Sequence, residues 1–245
     1  MSWLLIDNSN TRTKIAVGDR DGGLEMVGVI PTPEVSPETL AACVGARGES
    51  RALVCSVVPE KLWVLEAWLG ARGVVHVLDA QSPLGCRIDY PLPEQIGADR
   101  LANAAAVVAK GKAPAIVIDF GTAVTFDVVS GEPAYCGGVI APGLGAMTGY
   151  LTVKTALLPQ IELHEPRAAI GKSTVEAMQA GAVYGYRGLV REILLRLKAE
   201  MAGMPRVIAT GGDAALIARG LHEIDEVDPW ITLEGLRQVA TRVFA

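Results

Sequence analysis

One stretch constrains this chain more than any other: Val117-Ile118-Asp119-Phe120-Gly121-Thr122-Ala123-Val124-Thr125-Phe126-Asp127-Val128-Val129. An apolar run meets an aspartate, a polar turn with glycine and threonine follows, and a second apolar run begins. That order spells strand, tight turn and returning strand. A variant stands at the N-terminus, Leu4-Leu5-Ile6-Asp7-Asn8-Ser9-Asn10-Thr11-Arg12-Thr13-Lys14-Ile15-Ala16-Val17. In this alignment Asp7 matches Asp119, Ser9 matches Gly121, and Ile15 to Val17 match Asp127 to Val129. Two such hairpins predict a duplicated fold with a phosphate and metal site between its halves.

The 245 residues are half hydrophobic and poor in aromatics, which favours an α/β globule over a β-sandwich. A net charge of -5 argues against a nucleic-acid footprint, which shows a basic face. The four cysteines (Cys43, Cys55, Cys86, Cys136) form no CxxC or CxH pattern, and the three histidines are scattered. Zinc and iron–sulfur centres are therefore not expected, and free thiols in a reducing compartment are. No basic segment precedes the first strand, and no apolar run reaches membrane-spanning length, so neither a signal peptide nor a membrane partner is expected. The expected location is cytoplasmic.

Along the chain, strands are expected to about Val17 and over Leu24 to Ile30, joined by a Gly18–Gly23 turn. A helix capped by Ser36 and opened by Pro37 follows. Then come a strand at Ala52 to Val58, a helix from Pro59 to Leu69, a strand at Val74 to Leu78, and a helix opened by Gly97-Ala98-Asp99-Arg100. Lys110-Gly111-Lys112-Ala113-Pro114 reads as the joint, dividing the chain into halves at 1–112 and 113–245. The pattern restarts with strands at Ala115 to Asp119, through Val129, and at Ala134 to Ile140. Helices are expected at about Gly143–Thr155, Ser173–Lys198 and Ala214–Arg219, with a strand at Val207–Ala209.

Asp7 and Asp119 each end an apolar strand, at the sheet edge where ligands of α/β folds collect. The polar turns after them can aim backbone N–H groups at phosphate, and Arg12 and Lys14 add positive charge. Each hairpin alone reads first as an ordinary Asp-stabilised turn; their repetition at equivalent places in two halves favours a site. Asp99 lies in a helix's first turn, where the helix dipole favours its ionised form; on spacing alone it reads as a helix-terminal carboxylate with no other task. Gly137-Gly138 through Gly143-Leu144-Gly145 permits either close ligand approach or close packing of helix on sheet. Ser173-Thr174-Val175-Glu176 matches a capping box, leaving the Thr174 hydroxyl to face ligand or solvent. Thr210-Gly211-Gly212-Asp213 joins a strand to a helix and suits a phosphate contact. No P-loop, GxGxxG, HExxH or GxSxG occurs.

Taken together, these motifs resemble the type III pantothenate kinases, a branch of the acetate and sugar kinase/Hsp70/actin superfamily. The resemblance rests on the Asp7–Lys14 hairpin; Tyr90 with Gly97-Ala98-Asp99-Arg100; Asp119-Phe120-Gly121-Thr122-Ala123; Gly137-Gly138 through Pro142-Gly143-Leu144; Thr174-Val175-Glu176-Ala177-Met178 through Gly181; Ala209-Thr210-Gly211-Gly212; and Leu233-Glu234-Gly235-Leu236. It implies two ribonuclease H-like (actin-like ATPase) halves with a nucleotide cleft between them. The implied reaction is ATP-dependent phosphorylation of pantothenate to 4'-phosphopantothenate, the first step of coenzyme A biosynthesis. Asp99 is then the catalytic proton acceptor. Asp7, Asn8, Ser9, Asn10, Thr11, Arg12, Thr13, Lys14 and Thr122 bind ATP, carried with Mg2+. Asp119 holds a monovalent cation, K+ or NH4+. Tyr90, Gly97, Ala98, Asp99, Arg100 and Thr174 line the pantothenate site, and the resemblance implies a homodimer that completes it.

Ser9 departs from the glycine usual in the family's first hairpin. If that site needs positive φ, a Cβ obstructs it; alternatively, the serine hydroxyl donates to phosphate. Two other readings accompany the kinase: a non-catalytic accessory relative with the same fold, and a kinase of another small hydroxy acid. Retention of Asp99, Arg100, Asp119 and Thr122 weighs against the first, and a substrate panel distinguishes the second.

Overall fold

The computed structural model describes residues 2–245. Its elements run β1 (Ser2–Asn8), β2 (Arg12–Asp19), β3 (Leu24–Pro31), α1 (Pro37–Val44), β4 (Arg51–Ser56), α2 (Pro59–Gly70), β5 (Val74–Val77), β6 (Arg87–Ile88) and α3 (Ala98–Ala109). They continue with β7 (Ala115–Phe120), β8 (Ala123–Val129), β9 (Ala134–Pro142), α4 (Leu144–Lys154), α5 (Thr174–Glu200), β10 (Arg206–Gly211), α6 (Ala214–Ala218), β11 (Glu226–Val227) and α7 (Ile231–Val243).

The chain forms two compact units. The first holds the chain through Lys112, together with Pro133–Cys136 and Trp230–Ala245; the second holds Ala113–Glu132 and Gly137–Pro229. Two segments beyond the Lys112 joint thus pack with the first unit.

In the first unit the sheet order is β3-β2-β1-β4-β5. The β1–β2 and β2–β3 pairs are antiparallel, and β4 and β5 add in parallel. β1 is buried on both faces, so it reads as an unbroken apolar run. Leu4 and Ile6 pack with Leu40 of α1 and Leu65 of α2. Leu5 points the other way, toward α7, where it and Arg237 crowd Gly18. Ser36 caps α1, as its position before Pro37 predicts: its hydroxyl accepts the Thr39 N–H at 3.3 Å, and Thr39 Oγ1 accepts the Ser36 N–H at 2.9 Å.

The second unit repeats the order as β9-β8-β7-β10-β11. Three meandering strands are again followed by two parallel ones, so the duplication inferred from the hairpins is present in the topology. Ile116, Ile118 and Phe120 of β7 pack on Val183, Tyr186 and Val190 of α5. The residue correspondence differs from the sequence alignment past the turn. β1 and β2 are separated by Ser9–Thr11, whereas only Gly121 and Thr122 separate β7 from β8. Ile15 pairs with Ile6 and Phe126 with Ile118, so Ile15 corresponds to Phe126 rather than Asp127.

Three elements escaped the sequence reading. β6 and β11 have two residues each. α7 closes the chain and packs along α3. Gly235 makes that approach possible, because a Cβ there would lie 1.8 Å from the Ala102 carbonyl oxygen. Thr232 Oγ1 donates to Asn103 Oδ1 at 2.9 Å in the same buried contact. No helix among the described residues is long and apolar enough to cross a membrane.

Candidate active site

The hairpin after β1 gathers most of the predicted ATP residues of the first unit. Asp7 is buried at the end of β1, level with Lys14 across the ladder. Lys14 Nζ stands 3.5 Å from Asp7 Oδ2, and Ser9 Oγ donates to Asp7 Oδ1 at 2.9 Å. Beneath the turn runs a buried polar chain. Asn8 Nδ2 donates to Thr13 Oγ1 at 2.7 Å, and Ser56 Oγ donates to Asn8 Oδ1 at 2.7 Å. Thr32 Oγ1 donates to the Ser9 carbonyl at 2.7 Å. Its single proton is thereby committed, so Thr13 is the donor in the 3.0 Å contact between the two threonines. Asn8 and Thr13 are thus buried and tied into the fold, where they shape the turn, while Asn10, Thr11 and Arg12 are exposed at its tip.

Ser9 fits this turn. Among the described residues none other than glycine has positive φ, so the Ser9 backbone lies in a region any side chain adopts. Gly121, its counterpart, also lacks positive φ, and a Cβ there would meet Ala123 O at 3.4 Å and Asp119 Oδ1 at 3.8 Å, ordinary contacts. Neither turn requires glycine at this position, and the Ser9 hydroxyl is directed to Asp7.

A second cluster in the first unit surrounds the start of α3. Arg100 is buried, and the N–H of its backbone donates to Asp99 Oδ1 at 2.9 Å, which fixes the carboxylate's orientation. A Cβ on Gly97 would stand 2.6 Å from the same Oδ1, so glycine leaves room for that carboxylate. Ala98 is buried beside it. The guanidinium carbon of Arg100 lies 5.6 Å from the centroid of the Tyr135 ring. Tyr90 meets the same ring edge-on, with centroids 6.2 Å apart. Tyr135 and the polar partners Thr32 and Ser56 were missed from sequence. An aromatic on a strand reads as core, and the partners are remote in the chain.

In the second unit, Asp119 ends β7 and is half-buried. Gly211, with φ +93, packs against it: a Cβ would lie 2.5 Å from both Asp119 Oδ1 and the Phe120 carbonyl oxygen. Gly143 comes close to the Gly121 and Thr122 carbonyls, and its N–H donates to Thr122 O at 3.1 Å. The Gly137–Gly145 run therefore serves close packing at Gly143. The β7–β8 turn thus places the Asp119 carboxylate next in sequence to a turn whose Thr122 carbonyl is already taken by the Gly143 N–H. Thr122 is exposed on that turn, and Thr174 is exposed in the first turn of α5. Ser173 Oγ accepts the Glu176 N–H at 3.2 Å, but Glu176 reaches back to the Lys172 N–H at 2.6 Å, not to that of Ser173. The predicted capping box is thus only half formed. Among the described residues, no group of three or more His, Cys, Asp or Glu is placed to hold a metal ion.

The model of the family described as type III pantothenate kinase matches residues 3–196. The chain belongs to the type III pantothenate kinase family. A type III pantothenate kinase from Akkermansia muciniphila is 55% identical over 240 residues, covering 98% of each chain. One from Methylacidiphilum infernorum is 43% identical over 239 residues, covering 96% of this chain and 87% of its own. Solved structures at lower identity show the fold alone. A Campylobacter jejuni protein named for the Baf family of transcriptional activators aligns with a TM-score of 0.60 at 17% identity, covering 98% of both chains. The activator of the 2-hydroxyisocaproyl-CoA dehydratase from Clostridium difficile, with bound ADPNP, aligns at 0.54 and 12% identity, covering 100% of this chain and 94% of that one. An archaeal actin homolog aligns at 0.52 and 11% identity, covering 99% and 100%. The fold is thus the actin-like ATPase and sugar kinase fold. Within the pantothenate kinase family framework, the Asp7 hairpin, the Asp99–Arg100 helix start and the Asp119 turn are the positions that the chain's motifs single out.

Proposed function

We infer that this protein is a type III pantothenate kinase, transferring the γ-phosphoryl group of ATP to the primary hydroxyl of pantothenate. Membership of that family over nearly the whole chain carries the inference. The local geometry supports the individual roles.

The pantothenate hydroxyl oxygen attacks the γ-phosphorus as the bond to the β–γ bridging oxygen breaks, and ADP leaves. Phosphoryl transfer of this kind is mainly positioning and charge neutralisation. Asp99 orients the hydroxyl and accepts its proton late in the reaction; positioned acid–base groups contribute about 10²- to 10⁴-fold. Arg100 clamps the pantothenate carboxylate, whose planar anion matches guanidinium, beside Tyr90, Gly97 and Ala98, and Thr174 contributes a hydroxyl. The exposed tip Asn10–Arg12, the Ser9 turn and Lys14 bind ATP phosphates, and Asn8 and Thr13 hold that turn in shape. Asp7 receives the Lys14 charge and borders the same turn, and Thr122 is a further ATP contact. ATP carries its divalent metal largely on phosphate and water oxygens. Asp119 would hold potassium or ammonium, an ion that would supply positive charge.

A homodimer is the proposed assembly. Ile140, Met147, Tyr150, Val153, Leu157, Ile170 and Val175 of the second unit are exposed apolar side chains, on or next to elements α4 and α5 that pack together. Such concentrations mark interaction surfaces. The halves 1–112 and 113–245 are the proposed evolutionary repeat, and the free cysteines suit the cytoplasm. A coupled assay tests the function: ADP release should require pantothenate, magnesium and a monovalent cation. No pantothenate-dependent turnover across a wide ATP range, in either potassium or ammonium, would contradict it.

A further inference from the structure

Tyr135 lies outside every motif that points to the reaction, yet its ring meets both Arg100 and Tyr90. The short β6–β9 ladder brings it there: Ile88 pairs with Tyr135, and the Asp89 N–H donates to the Tyr135 carbonyl at 2.8 Å. Asp89 is followed directly by Tyr90, so the hydrogen bond that fixes the Tyr135 main chain also fixes the start of the Tyr90 loop. The Tyr135 ring is fully buried. One aspect of it meets Tyr90 in a T-shaped contact at 6.2 Å, and the Arg100 guanidinium stands 5.6 Å from its centroid.

We propose that Tyr135 is a positioning residue for pantothenate: its ring fixes Arg100 and Tyr90 in the orientations that receive the substrate. The proposal rests on the assignment of Arg100 and Tyr90 to the pantothenate site. An unbraced arginine loses much rotamer freedom when it grips an anion. A guanidinium already held against an aromatic ring has lost that freedom beforehand, and the ring's negative face favours the cation.

The test separates this role from that of an ordinary core aromatic. Tyr135→Leu should raise the KM for pantothenate by about 5- to 30-fold, the range of a partly to fully desolvated cation–π contact, and leave the KM for ATP unchanged. Tyr135→Phe, which keeps the ring, should rescue the pantothenate KM. If the leucine variant does not fold, phenylalanines of increasing fluorination at position 135 preserve shape while draining the ring face, and the pantothenate KM should climb stepwise. An unchanged pantothenate KM in a folded leucine variant, equal rises in both KM values, or a flat fluorination series would overturn the proposal. Arg100→Met distinguishes its failure from that of the site assignment. A raised pantothenate KM in Arg100→Met beside a flat position-135 series rejects the brace alone. An unchanged pantothenate KM in Arg100→Met rejects the assignment on which the brace rests.

Discussion

Replacing Gly235 by alanine should destabilise the protein, although alanine is the better helix former. In an open helix interior the change gains about 1 kcal/mol. At Gly235 the new Cβ would sit 1.8 Å from the Ala102 carbonyl oxygen, while ordinary contact begins at 3.4 Å. One helix must therefore withdraw by the difference, 3.4 − 1.8 = 1.6 Å. Overpacking of a close-packed contact costs about 1–3 kcal/mol. A withdrawal of that size also breaks the buried Thr232–Asn103 hydrogen bond, at about 1–3 kcal/mol more. Set against the helix-propensity gain, the net loss is about 1–5 kcal/mol, or a fall in Tm of about 2–20 °C for a chain of this size. Gly188 on α5 is the control, because a Cβ there meets nothing within 4 Å. Gly188→Ala should raise Tm by about 2–4 °C. Thermal unfolding followed by circular dichroism reads both. A Gly235→Ala protein as stable as the parent, or more so, would refute the close α3–α7 packing and the reasoning built on it.

Other perturbations probe the site and its support. Gly97→Ala places a Cβ 2.6 Å from Asp99 Oδ1, and should lower kcat by at least tenfold, on the order of a misplaced catalytic group, with little change in Tm; unaltered kcat would show that the carboxylate tolerates displacement. Ser9→Gly should change kcat/KM for ATP only a few-fold, on the order of one lost hydrogen bond, since Ser9 strains no backbone; a large gain would mean that its Cβ does obstruct the nucleotide. Burial opposes ionisation of Glu234, but hydrogen bonds from Arg237 and Gln238 and the Arg237 charge outweigh it and hold the carboxyl below its ordinary value of 4.5. A carboxyl lowered on folding stabilises above its unfolded pKa and loses that contribution as pH falls through the folded one. Urea titrations should therefore show Glu234→Gln with a shallower loss of stability below pH 4.5 than the parent; parallel acid limbs would remove Glu234 from that role.

The repeating order of strands and helices was legible because each hairpin carries its own apolar alternation and turn chemistry. Ser36-Pro37 and Ser173-Thr174 announced their helices for the same local reason. α7 was not legible as a helix. Ile231, Thr232, Val239 and Val243 are β-branched, Gly235 interrupts the run, and Trp230 supplies no side-chain cap. Its helical stripe of Leu233, Leu236 and Ala240 makes sense only once α3 is present to cover it. The one-residue slip in the hairpin correspondence arose from a difference in turn length that apolar runs do not record. Asp7, Asp99 and Asp119 stood out because carboxylates at strand and helix ends are locally conspicuous. Tyr135, Thr32 and Ser56 did not, because their contacts to the site depend on pairings across long stretches of chain. Ser9 read in the sequence as either an obstructing Cβ or a hydroxyl for phosphate, and the turn accommodates it with the hydroxyl directed to Asp7.

The most direct measurement is transfer of labelled γ-phosphoryl from ATP to pantothenate, followed by product isolation, in the wild type and in a folded Asp99→Asn variant. Label in phosphopantothenate is expected from the wild type, with transfer slower by about 10²- to 10⁴-fold in the variant. No labelled product from the wild type, or equal rates in the two proteins, would contradict the account.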